Sequence, residues 1–424
     1  MSAPARATEP PADNSAHLVD VLPQAANKRL ALRVTKDALR QIRAGHPWIY
    51  DDSITRHPDG PAEPGDLAVV FDDDRKFRAI GLWDPHSPIR VKVLHQGRPE
   101  TIDRAFFARR IGDALDLRLS LMAEGHTTGH RLINGENDQL PGFIVDRYDT
   151  TLVVKLYTSA WFPHLATLLD LLIGIDVFDV ERVVLRLSRT VERQPSFGLA
   201  DGDTIFGDPP SGDIVFAENG LLFGADVVRG QKTGHFFDQR DNRLATQHEA
   251  TGDVLDVFSS TGGFSVYAAA GGADSVVSVD SNQQSLDAAE RNMARNGLDE
   301  LTRHTTICDD AFEVLAEYGR TGRKFDVVVI DPPPFAQKQA DIDSALHAYR
   351  RLTRAGVALV HDGGLFVQAS CSSRVAGDAF YQATRQAAEQ VGVALTQQRQ
   401  TGHALDHPIG FAHGGYLKAL FARV

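Results

Sequence analysis

The stretch Val254 to Asp280, VLDVFSSTGGFSVYAAAGGADSVVSVD, constrains this chain more than any other. An apolar run carrying Asp256 leads into Thr261-Gly262-Gly263, then a run of small residues with helical character, then SVVSVD ending in Asp280. Strand, glycine turn, helix, strand and acid in that order form the βαβ opening of an α/β nucleotide-binding sheet, with both acids at the carboxyl ends of parallel strands. A ligand of such a sheet binds in the crevice beyond those ends, where Asp280 can accept hydrogen bonds from ribose hydroxyls. The turn lacks GxGxxG spacing, which argues against a pyrophosphate-bearing dinucleotide. An incidental turn in an ordinary α/β sheet is the alternative.

Three later segments reach the same edge. FDVVVIDPPPF ends a strand at Asp331 and GGLFVQASCSS ends another at Cys371. In Asp331-Pro332-Pro333-Pro334-Phe335 the prolines stiffen a loop with no spare amide donors, and a carboxylate beside an aromatic suits a planar base. A simple strand-terminating turn would use prolines too. TTICDD places Asp309 and Asp310 at a third strand end, where the acid either faces an adenine amino group or caps the helix AFEVLAEYG. Cys308 reads as a small buried apolar residue. Cys371, in a polar run beside the strand that bears Asp331, is either an inert thiol or a nucleophile able to attack C6 of a cytosine and make C5 reactive.

The rest of the chain arranges itself around this unit. Residues 1–27, rich in Ala and Pro, read as a disordered leader. Residues 28–98 break into short strand-like segments, RLALRVT, GHPWIYDDSI, GDLAVVFDDDRKFRAIGLWDP and PIRVKVLHQ, as in a small β-barrel. Asp72 to Arg75 form a hairpin turn there, with solvated acids. Residues 99–215 mix helical spacing (TIDRAFFARRIGDALDLRLSLM, FPHLATLLDLLIGI) with a hairpin through Asp149-Thr150 and the strand RVVLRLS, an α+β pattern ending in the exit loop DGDTIFGDPPSGD. Asn219-Gly220 then opens residues 216–424 with a strong hairpin signal, and strands and helices alternate to the end for about seven strands.

Charge and cysteine content limit the function classes. The net charge of -12 is unlike a general polyanion binder, yet residues 28–98 are net basic against an acidic remainder. Cys308 and Cys371 fit no disulfide framework and no zinc spacing, so no metal is expected, and a reducing cytoplasm suits them. No apolar run reaches the length of a membrane span, and no signal peptide pattern opens the chain.

With these segments in view, the chain resembles the ribosomal RNA large subunit methyltransferase I family, S-adenosylmethionine-dependent enzymes that form 5-methylcytosine in 23S rRNA. The resemblance runs through GHPWIY and FRAIGLWDPHSPIRVKVL (a PUA domain), RLINGENDQLPGFIVDRY (a central domain), and GQKTGHFFDQRDNR, DVFSSTGGFSVYAAAGGA, DPPPFAQ and SCSS (the methyltransferase). A final DHP and GYLKAL also match. It implies a three-domain α/β chain: a PUA-like RNA-binding domain, a central α+β domain and a Rossmann-like seven-stranded class I methyltransferase. The cofactor it implies is S-adenosylmethionine, with Gln239 and Arg240 on its approach, Asp256, Phe258 and Gly262 around it, Asp280 on the ribose, Asp310 on the adenine and Asp331 beside the methyl. Cys371 corresponds to the nucleophile, with Pro332, Pro333 and Phe335 toward the base. RNA is the implied partner; a homodimer is left open. Pro334 departs from the family's loop, where a smaller residue is expected. LRLSRTVER, with Arg186, Arg189 and Arg193, reads as a solvated strand face or a phosphate contact. The rival readings are an RNA amino-group methyltransferase with a structural Cys371, and a noncatalytic RNA-binding assembly factor.

Overall fold

The computed structural model describes residues 21–424 apart from 27, 124, 231 and 337, so the expected leader lies outside the described residues up to residue 20. Its end is already structural: Leu22 is buried in the apolar cluster that also holds Leu67, Leu82 and Phe106. Three sheets and one hairpin follow in chain order.

The first sheet holds β1 (Arg29–Val34), β2 (Trp48–Tyr50), β3 (Ile54–Arg56), β4 (Leu67–Phe71), β5 (Phe77–Trp83) and β6 (Ile89–Gln96), in the order β2-β6-β5-β4-β1-β3. A helix absent from the sequence expectation, Lys36–Arg43, is capped by Thr35 and buries Ala38, Leu39 and Ile42 against it. The hairpin after β4 forms as expected, but Asp72 is not solvated. Its carboxylate accepts the Lys76 amide at 2.8 Å and the Arg78 guanidinium, which closes the turn.

The central sheet is β7 (Gly129–Asn134), β8 (Phe143–Tyr148), β9 (Thr151–Leu156), β10 (Arg182–Leu187) and β11 (Thr204–Phe206), ordered β11-β10-β9-β8-β7. The segment expected as an exit loop thus contributes a strand, β11, paired antiparallel to β10. Trp161, Phe143 and Phe107 fill its core. That core also takes Ile80, Leu82 and Leu94 from the first sheet, so the two share apolar packing.

A hairpin of β12 (Ile214–Glu218) and β13 (Leu221–Ala225) turns at Asn219-Gly220, as the dipeptide requires, with positive φ at both residues. The last sheet then runs through β14 (Gly252–Val257), β15 (Ala273–Asp280), β16 (Arg303–Cys308), β17 (Phe325–Ile330), β18 (Val360–Ser370), β19 (Thr396–Thr401) and β20 (Lys418–Arg423). Its order is β16-β15-β14-β17-β18-β20-β19, with β20 antiparallel to both neighbours and the other pairs parallel. This is the expected seven-stranded Rossmann-like sheet. The strand order reverses between β14 and β17, which places the ligand crevice at their carboxyl ends.

The helix Gln283–Arg295 turns Leu286, Ala289 and Met293 inward and is closed by Gly297 at φ 64°. Among the described residues no helix is long and apolar enough to cross a membrane.

Candidate active site

The carboxyl ends of β14, β15, β17 and β18 open onto a cavity of about 970 Å3, which extends under the central sheet and reaches Trp48 of the first. Two distinct kinds of structure line it.

Along β14 and β15 the backbone does the shaping. The chain leaves β14 with positive φ at Phe258 (65°), Ser260 (49°) and Gly262 (78°). Such a conformation at two non-glycine residues in a row of five is uncommon and marks a turn held for a ligand. Gly262 needs to be glycine for a second reason: a Cβ there would stand 2.7 Å from the Ala289 Cβ on the neighbouring helix. The turn feeds the buried helix Gly263–Ala270. Asp280, half-buried at the end of β15, accepts the Ser260 amide at 2.9 Å on one oxygen and the Asn282 amide at 2.9 Å on the other. Each oxygen can accept a further hydrogen bond, and Asp280 lines the cavity. Ser259 contributes a buried hydroxyl that has no hydrogen-bond partner among the described residues, and it too lines the cavity. A half-buried carboxylate fixed for a diol, an unpaired hydroxyl and a turn with close backbone approach fit the ribose half of a nucleoside cofactor.

Along β17 and β18 side chains do the shaping. Asp331 follows β17 and Cys371 follows β18, its parallel neighbour. The Cys371 thiol lies 3.8 Å from the Pro332 carbonyl. Desolvation raises the Asp331 carboxyl to about 7, with the charges of Asp238 and Asp256 adding to it and a hydrogen bond with Gln239 opposing it. Desolvation, and next the Asp331 charge, push the Cys371 thiol up to about 12, against the opposing charge of Lys232. Asp238, also in the cavity wall, behaves oppositely. Burial disfavours its charge, but Lys232, His407 and the Tyr416 hydroxyl at 2.6 Å hold it below the ordinary carboxylate range. Lys418, on β20, donates to the carbonyls of Ser372 (2.6 Å), Val375 (2.7 Å) and Tyr416 (3.0 Å), which fixes the loop that presents Cys371.

Of the residues singled out in the sequence, Gln239, Phe258, Asp280, Asp331, Pro332, Pro333 and Cys371 line this one cavity. Arg186, Arg189, Thr261, Gly263 and Pro334 line it as well, and the other candidate residues stand elsewhere. Asp256 is wholly buried beneath the turn, one oxygen accepting the Ser265 hydroxyl at 2.7 Å and the other unpartnered. Arg240 is buried against Asp406 at 3.0 Å. Asp310 accepts the amides of Phe312 (2.8 Å) and Glu313 (3.3 Å) as the cap of the helix Ala311–Thr321. Phe335 packs on Tyr349 at 5.2 Å between ring centres. Gly262 acts through the turn. Cys308, expected to be buried, is exposed, because β16 is the sheet's edge strand. Arg186 is not on a solvated face: it is buried in the cavity wall and paired with Asp201 at 3.0 Å.

Several wall residues were not singled out, Ser259, Lys232, Asp238 and Tyr416, nor was Lys418 behind the wall. Lys232, Asp238, Tyr416 and Lys418 sit inside segments that stood out, GQKTGHFFDQRDNR and GYLKAL, but nothing in the sequence marks which of their polar side chains turns inward.

Comparison with known proteins agrees with this arrangement. Residues 202–401 match the family model of S-adenosylmethionine-dependent methyltransferases, and residues 32–96 that of PUA-like domains. A ribosomal RNA large subunit methyltransferase of Deinococcus radiodurans is 44% identical over 95% of this chain and 99% of its own length. A ribosomal RNA large subunit methyltransferase I of Alteromonas mediterranea is 35% identical over 91% and 96%. In fold, the chain is similar to a structure described as a SAM-dependent methyltransferase from Streptococcus mutans, with a TM-score of 0.77 at 20% identity, over 93% of this chain and all of that one. A methyltransferase structure solved with SAH superposes with a TM-score of 0.76, also at 20% identity, over 93% and 100%.

Proposed function

The chain belongs to the ribosomal RNA large subunit methyltransferase I family and is an S-adenosylmethionine-dependent methyltransferase, and from that premise we propose that it forms 5-methylcytosine in 23S rRNA through a covalent bond to Cys371. The observation that carries this reading is the pairing of Asp331 and Cys371 on adjacent strand ends within one cavity, beside the turn at Phe258–Gly262 and Asp280. We propose a division of labour in which residues 28–98 bind RNA, 99–215 form a central support, and 216–424 carry the chemistry.

In this reading Asp280, Ser259 and the Phe258–Gly262 turn hold the cofactor, which supplies an electrophilic methyl group. A cytosine that is unpaired or flipped out of its helix enters along Pro332 and Pro333. Asp331 grips its polar edge, and its raised affinity for a proton lets it donate a hydrogen bond to N3 near neutrality. The Cys371 sulfur adds to C6, which makes C5 nucleophilic enough to take the methyl. The C5 proton leaves to solvent, the bond from Cys371 to C6 breaks to restore the aromatic ring, and the sulfur takes back from solvent the proton it gave up on adding. Gln239 holds Asp331 by a hydrogen bond, and the charge of Lys232 favours the ionised forms of Asp331 and Cys371. Arg240, Asp256 and Asp310 act at one remove, as supports of the turn and of the strand ends.

A second reading has one observation in its favour. A thiol pushed up to about 12 is protonated at neutral pH, as an inert structural cysteine would be. In an amino-group methyltransferase, Asp331 and the proline loop would hold an exocyclic nitrogen instead. Incubation with RNA containing 5-fluorocytidine separates the two, since only the cysteine route traps a covalent adduct. We expect an adduct with the wild-type enzyme and none with Cys371→Ala, which should bind cofactor normally and give no 5-methylcytosine. Retained methylation by that variant would refute the covalent reading.

A further inference from the structure

The cavity carries a second group of rings that the chemistry at Asp331 and Cys371 does not use. Trp48 on β2, and Phe411 and His413 in the segment between β19 and β20, line it together. With His46 they form an edge-to-face cluster. Trp48 and Phe411 have ring centres 5.7 Å apart at 70°, His46 and Trp48 5.5 Å at 81°, and His46 and His413 6.1 Å at 69°. Large rings are usually taken up by a core. Here Trp48 and Phe411 are half-buried, whereas the other two tryptophans, Trp83 and Trp161, are 5% and 0% exposed.

This cluster is built rather than incidental. The Trp48 indole N–H donates to Glu136 Oε1 at 2.9 Å, which sets the plane of the ring. The loop bearing Phe411 is pinned to the same 3-10 turn, Gly135–Asp138, that contains Glu136. Gly410 donates its amide to Asn137 Oδ1 at 2.9 Å, and the Asn134 side-chain amide donates to the Pro408 carbonyl at 3.3 Å. Two glycines permit the close fit. A Cβ at Gly410 would lie 2.5 Å from the Asn137 carbonyl oxygen, and one at Gly414 would lie 2.1 Å from Asn137 Oδ1. Rings from opposite ends of the chain are therefore held by one turn of the central sheet.

Cations share the cavity. Lys155, Arg186, Arg189 and Lys232 all line it. Arg186 is tied to Asp201, but Arg189 is exposed and has no carboxylate partner among the described residues. Aromatic faces and an exposed guanidinium lining one cavity are what a single-stranded nucleic acid needs, because bases stack on rings whatever their sequence while cations follow the backbone.

We propose that Trp48 and Phe411 form a stacking subsite for an unpaired base flanking the target nucleotide on the same RNA strand, with Arg189 meeting the backbone phosphate. The proposal rests on the reading of the chain as an RNA methyltransferase. It adds that the substrate is opened over more than the one nucleotide that reacts, and that the first sheet and the loop before β20 act together in recognising it.

The test uses the full chain and a single-stranded RNA of about a dozen nucleotides, uridines around one central cytidine. Trp48 is the tryptophan open to a base, so quenching of tryptophan emission reports contact at that ring. Binding should quench it, and replacing the flanking uridines by abasic riboses should abolish the quench. By fluorescence anisotropy, Phe411→Leu and Trp48→Ala should each weaken binding by roughly 5- to 150-fold, and Trp48→Phe, which keeps a ring, by less. SAH binding measured by calorimetry should stay unchanged in all three, which shows that they are folded. RNA binding without a quench, or wild-type affinity in Phe411→Leu and Trp48→Ala, would overturn the subsite. The 5-fluorocytidine form of the same RNA separates this from the reading beneath it. A wild-type enzyme that quenches but traps no adduct loses the cysteine mechanism and keeps the subsite. Variants that trap adduct as the wild type does at limiting RNA lose the subsite and keep the mechanism. Failure of the wild type to bind any of these RNAs overturns both.

Discussion

Desolvated carboxylates in two regions of this protein are treated in opposite ways. Where the central sheet meets the last one, each is matched to a cation. Glu218 receives the Arg243 guanidinium at 2.6 Å, Asp406 lies 3.0 Å from Arg240 and 3.2 Å from His407, and Asp138 takes two hydrogen bonds from Arg118 at 2.7 and 3.1 Å. Burial disfavours the charge on Glu218, yet Arg243 and then His235 more than offset it and hold the group at about 2. At the strand ends, Asp256 and Asp331 have no salt-bridge partner among the described residues, and desolvation raises both to about 7. A buried charge without a counter-ion is costly and is kept where its proton is useful, whereas a paired one fastens parts of a fold together. Under the proposed function the first region is scaffold and the second carries the chemistry, and substitutions should divide along the same line.

The largest effect expected is on activity at the strand ends. Asp331→Asn keeps the shape of the side chain but removes the exchangeable carboxyl proton, so kcat should fall by about 10²- to 10⁴-fold. The melting temperature should hold or rise, because an unpaired buried carboxyl has been removed. A variant that melts well below the wild type would mean that Asp331 is scaffold after all. The matching change on the other side is Glu218→Gln. It leaves Arg243 buried without its counter-charge and should cost about 3–5 kcal/mol in chemical denaturation, with the folded fraction still methylating RNA. Loss of activity at unchanged stability would erase the distinction.

The division explains what the sequence disclosed. The strand ends were legible because their residues follow periodic apolar runs and punctuating glycines and prolines: Asp280 after SVVSV, Asp331 before three prolines, Cys371 after LFVQAS. Position along a strand already decides which edge such a residue occupies. The clasp was not legible. Glu218 and Arg243 are 25 residues apart, and Arg118 donates to the Asp406 carbonyl across 288. No local pattern announces pairs at that separation, and the solvent-facing reading of Arg186 failed for the same reason. Cys308 misled for another: cysteine's preference for burial says nothing about whether a strand lies at an edge.

The pH dependence of stability sharpens the comparison at an intermediate scale. Asp256 is fully buried, and its folded carboxyl holds a proton up to about 7 whereas an unfolded aspartate loses it near 3.8. Between those values the folded state binds more protons, so stability falls as pH rises through that window, and the cost is complete above about 7. Glu218 contributes in the other direction. Its stabilisation is present above the ordinary glutamate value of 4.5 and is lost as pH falls toward about 2. Asp256→Asn should therefore be more stable than the wild type at pH 8 by on the order of 2–4 kcal/mol and lose that advantage by pH 4. Urea denaturation at the two pH values measures it, and an advantage independent of pH would show that Asp256 is ionised in the folded protein.

Asp310 tests the boundary between the two kinds of acid, and the effect is the smallest. The family resemblance puts it on the cofactor's adenine, whereas its carboxylate here accepts the Phe312 and Glu313 amides at the start of the helix Ala311–Thr321. The two roles need different atoms. A cap needs one acceptor oxygen, which serine supplies, and a partner for an amino group needs a carboxylate turned toward the cavity. If capping is its work, Asp310→Ala should lose about 1 kcal/mol of stability while Asp310→Ser recovers most of it, and calorimetry should give both variants the wild-type affinity for SAH. If both variants instead bind SAH several-fold more weakly at unchanged stability, Asp310 reaches the cofactor despite its place outside the cavity wall, and it belongs with Asp280 rather than with the scaffold.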